Sequence, residues 1–164
     1  MQPIVDRGHG EGGTWAAWAR VLVVGVVVVA VDQVSKSAVD GSIVPGEAQA
    51  VLPGIQLVNT RNRGVAFGFL PGSHVGVTIL IALALVALLI YFARHATVPL
   101  IWLPTGLLLG GALGNIVDRV RHGSVTDFIK LPLGWPPFNL ADTSITLGIL
   151  ILFVFIDRSR RSGA

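Results

Sequence analysis

Four long apolar runs punctuate this chain, and polar residues gather at their ends instead of alternating through them. The runs lie at roughly Arg20–Val39, Val75–Phe92, Val98–Val117 and Leu140–Ile156. Each is near the ~20 residues that ~30 Å of hydrocarbon requires, so each predicts a membrane-spanning helix. The second, VGVTILIALALVALLIYF, carries no charge. The third holds Pro99 and Pro104 near its start, where a missing amide hydrogen is tolerated. Asp40–His74 is of mixed polarity, with a strand-like alternation over Ile55–Thr60 that predicts a small sheet at the membrane surface. Ala93–Thr97 is a short loop, and residues 118–139 form a longer polar one. The expected fold is a membrane all-α protein: a four-transmembrane-helix bundle with a small sheet between helices 1 and 2.

Composition strengthens this picture. Of 164 residues, 52% are hydrophobic and 13% charged, against ~25% charged in soluble domains. The net charge of +3 is spread along the chain. No basic patch with interleaved aromatics points to nucleic acid. The chain has no cysteine, which excludes disulfides, thiol nucleophiles and Cys-ligated metal. His9, His74, His95 and His122 are far apart, and neither HExxH nor GxSxG occurs. No metal and no cofactor is expected.

Residues 1–17, Gly-rich and mixed in charge, are expected to be a disordered tail. Residues 18–157 would be the membrane domain, with the small sheet and its loop at 41–74, and 158–164 a basic tail. Four spans put both termini on one side. Arg7, Arg20, Arg94, Arg158, Arg160 and Arg161 fall there, against Arg61, Arg63, Arg119, Arg121 and Lys130 opposite. The bias makes the terminal side cytoplasmic.

Ionisable groups near hydrocarbon are costly and mark functional sites by default. Asp32 and Lys36 share a helix face one turn apart. They are either a self-neutralising pair at the interface, with Lys36 reaching toward water, or an anchor for a polar cluster. Ser35 beside Lys36 invites a Ser/Lys dyad, although adjacent helical residues face apart. Asn62 and Gly64 form a turn or hold a substrate backbone at close approach. Asn115, Asp118, Arg119 and His122 recur at helical spacing, as one polar face with an Asp118–Arg119 pair. Gly110, Gly111 and Gly114 before it permit close helix packing. Asp127 stands among apolar neighbours in an extended or helical piece. Asn139 fits a helix N-cap and Asp142 the third helical position, and such a cap can also fix a reactive carboxylate. Asp127 and Asp142 are the candidate catalytic pair. A proton-coupled transporter or scaffold using Asp32 and Asp142 as a relay is the competing reading. That class needs a polar path across the whole bilayer, and the apolar halves of the spans nearest the termini carry almost none.

The order of motifs is more specific than any one of them. Asp32-x-x-x-Lys36, Asn62-x-Gly64-x-Ala66-Phe67, Gly114-Asn115-x-x-Asp118-Arg119, Val125-x-Asp127-Phe128 and Phe138-Asn139-x-Ala141-Asp142 follow one another over about residues 18–157. This arrangement closely resembles the bacterial lipoprotein signal peptidase family (signal peptidase II). The resemblance implies an intramembrane aspartic endopeptidase of the bacterial inner membrane, with its active site toward the outer face and about residues 41–74 as a small extracytoplasmic β cradle between helices 1 and 2; a monomer is expected. Its substrate would be a prolipoprotein carrying diacylglyceryl-Cys, embedded in membrane lipid and cut just before that Cys. Globomycin-type peptides would inhibit it. Asp127 and Asp142 would be the dyad, with Asp32, Lys36, Asn62, Gly64, Asn115, Asp118, Arg119, Asn139 and Ala141 as binding or supporting residues. One departure is the short, Pro-rich linker KLPLGWPP between the two Asp motifs.

Overall fold

The computed structural model describes residues 9–64 and 74–161. Ala66 and Phe67 of the second motif lie outside them. The elements run α1 (His9–Ser42), β1 (Ala48–Leu52), β2 (Ile55–Asn62), α2 (His74–His95), α3 (Trp102–His122), β3 (Val125–Lys130) and α4 (Leu140–Arg161). Helix α1 therefore begins inside the stretch expected as a disordered tail, and Ala17 is already buried against Val21 and Phe92.

α3 is the axis on which the other helices pack, and its glycines are the reason. A Cβ at Gly106 would meet Val24 at 2.8 Å, and one at Gly110 would meet the Gly25 carbonyl at 2.8 Å. These positions, four apart, let α1 lie backbone to backbone against α3. On another face, a Cβ at Gly111 would stand 2.5 Å from the Ala141 carbonyl of α4. Small residues at such crossings let dispersion and backbone contacts do what hydrophobic burial cannot do in lipid. Gly111→Leu should therefore force α3 and α4 apart, lowering stability by about 1–3 kcal/mol or more. Thermal unfolding in detergent should show this, while Gly13→Ala, with nothing within 4 Å and Ala favoured over Gly in a helix, does not lower the midpoint.

The third helix starts at Trp102, four residues later than the apolar run suggested. Pro99 removes an amide, and Leu100 adopts a left-handed backbone (φ 62°), so residues 96–101 are a turn. The helix stops cleanly at His122, because Gly123 (φ 67°) takes the left-handed position and donates its amide to the Arg119 carbonyl. The chain then enters β3 within two residues.

The sheet differs from the cradle expected between helices 1 and 2 alone. Its order is β1-β2-β3, antiparallel throughout. The third strand comes from between α3 and α4, so the two halves of the chain share one sheet. Val39 and Ile43 at the end of α1 bury against Phe128 of β3, with Leu57, Ile129 and Leu140 around them. A second cluster (Ala17, Val21, Phe92, Ala96, Ile101) closes the opposite end of the bundle, where Trp18 meets Phe92 edge to face at 4.7 Å.

Gly13–Ser42 and Val75–His95 are long and apolar enough to cross a bilayer, and Leu140–Phe155 of α4 is a shorter apolar stretch. Large apolar side chains stand exposed along three helices, among them Leu22 and Val26, Leu80 and Leu83, and Leu150 and Phe153. Apolar surface on this scale is what a lipid-facing exterior presents.

Candidate active site

The sequence brings its acids to one end of the bundle by three local devices. On α1, Asp32 and Lys36 are one turn apart and both buried, with Lys36 Nζ 2.7 Å from Asp32. Lys36 does not reach for water as an interfacial lysine would. Its ammonium also lies 2.9 Å from Asp118 and donates to Asn115 Oδ1 at 3.0 Å. Asp32 Oδ1 accepts the Ala141 amide of α4 at 2.9 Å. Gly114 makes room for that carboxylate, since a Cβ there would be 2.7 Å from it. Lys36 thus pairs with Asp32 one turn away and also joins α1 to the Asp118 and Asn115 side chains of α3. Ser35 spends its hydroxyl on the Asp32 carbonyl, so it forms no dyad with Lys36.

Asp118 does not pair with Arg119. It pairs with Lys36, accepts from Gln33 at 2.8 Å and takes the Thr126 amide at 3.2 Å. The physical reason is direction: residues adjacent on a helix point about 100° apart, and here Asp118 faces α1. Arg119 instead donates to the Asn115 carbonyl (3.2 Å) and the Gly64 carbonyl (3.0 Å), leaving its buried Nε without a partner. His122 is exposed and takes no part.

Asp127 lies on β3, 3% exposed, with Thr60 of β2 opposite. Its Oδ1 accepts from Asn139 Nδ2 at 2.7 Å and its Oδ2 from Asn62 Nδ2 at 2.9 Å. Its backbone is pinned as well, because the Thr60 hydroxyl donates to the Asp127 carbonyl at 2.8 Å. Burial pushes its carboxyl up to about 6, and the Asp142 charge adds to this, while the amides of Asn62 and Asn139 hold it down.

Asp142 lies in the first turn of α4. Asn139 and Asp142 cap each other: the Asp142 amide donates to Asn139 Oδ1 at 2.9 Å, and the Asn139 amide to Asp142 Oδ2 at 3.3 Å. This is a reciprocal capping box with the acid at the third position. Asp142 Oδ1 accepts from Asn115 Nδ2 at 2.8 Å. Asn139, fully buried, therefore touches both acids, one through its side chain and one through its backbone.

Among the described residues, Asp32, Lys36, Asn62, Gly64, Asn115, Asp118, Arg119, Asp127, Asn139, Ala141 and Asp142 are brought together, whereas Ser35 and His122 are not. Gln33, Thr60 and Thr126 were missed. Thr126 donates its amide to Asp118, and its hydroxyl accepts from Arg61 at 2.8 Å. Only the strand pairing reveals it. Among the described residues no group of three His, Cys, Asp or Glu side chains is placed to hold a metal ion.

The profile of signal peptidase (SPase) II matches residues 24–157. A lipoprotein signal peptidase of Syntrophomonas wolfei is 43% identical over 138 residues, which is 82% of this chain and 92% of that relative. One from Paraburkholderia phymatum is 38% identical over 160 residues, 93% of this chain and 94% of its own. A bacterial membrane enzyme solved by the in meso method at 2.3 Å superposes with a TM-score of 0.82 at 31% identity, covering 88% of this chain and 91% of the other. A second, solved at 1.9 Å, gives 0.76 at 33% identity, with coverage of 83% and 91%. Family profile, relatives and solved folds agree over the same stretch that carries the paired acids, and this chain belongs to the signal peptidase II family.

Proposed function

We propose that the chain is an intramembrane aspartic endopeptidase that removes the signal peptide from diacylglyceryl-modified prolipoproteins, cutting on the N-terminal side of the lipidated Cys. The observation that carries this reading is the Asn139 bridge, which ties two buried or half-buried acids from separate elements into one unit. Two neighbouring carboxylates share one proton more readily than they ionise together. Asp142, at a helix start, is the ionised partner and takes a proton from a bound water. Asp127, held at about 6, carries the shared proton and gives it to the scissile carbonyl oxygen. A tetrahedral diol forms and collapses with no acyl-enzyme. Arg119, Asn62 and Gly64 would hold the substrate backbone, and Asp32, Lys36, Asn115 and Asp118 the dyad.

In this reading α1–α4 all cross the bacterial inner membrane. Residues 18–157 form the peptidase unit, residues 1–17 and 158–164 lie in the cytoplasm, and the sheet and dyad face outward. The enzyme acts as a monomer, and globomycin-type peptides block the dyad. The competing transporter reading wants polar groups across the bilayer. Here the network from Asp32 to Asp142 sits at one end, and the far end is the apolar cluster around Val21 and Phe92. Proteoliposomes given a diacylated lipobox peptide test the proposal. Cleavage without added metal or ATP, stopped by a globomycin-type peptide, is the expected result, and an intact peptide would sink it.

The pH dependence follows with a definite sign. A raised carboxyl pKa means the useful proton is held below about 6 and lost as pH rises through it. The kcat/KM profile of the free enzyme should therefore show its basic limb near 6. Asn62 favours the ionised form of Asp127, so Asn62→Ala should move that limb upward as well as weaken binding. A limb that stays put, or moves down, contradicts the assignment of the proton to Asp127.

A further inference from the structure

Between the two acids the chain makes a turn that water does not favour. Leu133 (φ 67°) and Gly134 (φ 76°) both take the left-handed backbone that a type I′ turn requires at its centre. Asn or Asp ordinarily fills the first of those positions. A leucine there is strained, and this one is fully exposed, at 103%. Trp135 beside it is 55% exposed. Gly54 lies against the Pro132 ring, so the tip of the β1–β2 hairpin, with Leu52 61% exposed, continues the same apolar surface. Lys130, exposed at the end of β3, borders it.

We propose that the Leu133–Trp135 turn inserts into the bilayer interface beside the start of α4, so that the segment joining Asp127 to Asp142 is anchored in lipid. The length of α4 argues for lipid over any other occupant. Its apolar run, Leu140–Ile156 in the sequence, rises only about 26 Å at ~1.5 Å per residue, short of the ~30 Å of hydrocarbon. Past its other end the chain becomes basic (DRSRR), so further apolar surface is available at the end where the turn sits. A short span is matched by local thinning or by flanking anchors at the boundary. Trp is suited to that depth, and Lys130 can keep its stem in the apolar layer and its ammonium at lipid phosphates. The inference rests on α4 crossing the membrane, not on the peptidase chemistry.

The absence of native cysteine makes the test direct. Leu133→Cys and, as a control, Glu47→Cys would each be labelled with a nitroxide. The full chain would then be placed in phosphatidylethanolamine–phosphatidylglycerol vesicles. The label at 133 should collide several-fold more often with oxygen than with a water-soluble nickel chelate, and the label at 47 should show the reverse. Equal chelate access at both sites overturns the proposal. So does dipolar broadening between labels at 133, which would mean that a second copy covers the turn. In a second measurement, Leu133→Ser/Trp135→Ser should raise KM for a bilayer-embedded prolipoprotein about 3- to 10-fold with kcat unchanged. An unchanged KM in vesicles also counts against it. The depth measurement needs no turnover, so failure of the peptidase reading would leave it standing.

Discussion

Asp127→Asn and Asp142→Asn should each reduce cleavage of a diacylated prolipoprotein by roughly 10²- to 10⁴-fold, the range lost when a positioned acid or base is removed. Neither loss should be a folding defect, although the amides will not be silent. Both oxygens of Asp127 accept hydrogen bonds from amide donors, Asn139 and Asn62. Both oxygens of Asp142 likewise accept, from Asn115 and the Asn139 backbone. An Asn in either place turns one acceptor into a donor facing a donor, which costs about 1–3 kcal/mol. The signature is therefore a modest fall in thermal midpoint beside a near-total loss of turnover. Wild-type rates in either variant would remove the dyad from the mechanism, and a chain that no longer folds would show the acids to be mainly structural.

Lys36→Met should be the most destabilising single change at the site. The ammonium lies 2.7 Å from Asp32 and 2.9 Å from Asp118, and all three side chains are at most 4% exposed. Removing the cation leaves two buried carboxylates facing each other without compensation. Breaking a buried pair in this way costs about 3–5 kcal/mol. Adding Asp118→Asn to Lys36→Met should recover part of it, because one of the two uncompensated charges is gone. Unfolding midpoints for the single and double variants would measure the recovery. No recovery in the double variant would mean that the cluster is held by packing and not by charge.

How far the sequence could be read depended on whether an interaction was local. Asp32 and Lys36 were visible as a pair because four residues on a helix bring side chains together. The Asn139–Asp142 cap was visible for the same reason, and so was the close packing at Gly110, Gly111 and Gly114. Asp118 was assigned to its neighbour Arg119, since nothing in a linear pattern shows which way α3 is rotated against α1. Leu100 was read into a span because a left-handed leucine leaves no mark in hydropathy. The largest gap was the sheet: Ile55–Thr60 read as a strand, but its partnership with Val125–Lys130 did not. Thr60 and Thr126 carry no signal of their own, and they matter only once β2 and β3 are in register. The catalytic pairing itself rested on the order of motifs, because a carboxylate in a cap and one in a short strand each have an ordinary explanation.

The third strand also bears on when, during its making, the protein can first act. The Thr60 hydroxyl and the Asp127 carbonyl it supports are 67 residues apart in the chain. The α2–α3 hairpin must be in place before they meet. Asn139 and Asp142 emerge later still, and the bridge between the acids cannot close until α4 has begun. A partly synthesised chain thus holds β2, Asn62 and most of the buried charge cluster, yet has no assembled pair. Long-range strand pairing is slow because the loop it closes must be ordered first. On the proposed mechanism that delay would act as a safeguard: a protease made among other nascent membrane segments would stay inert until its last helix arrives.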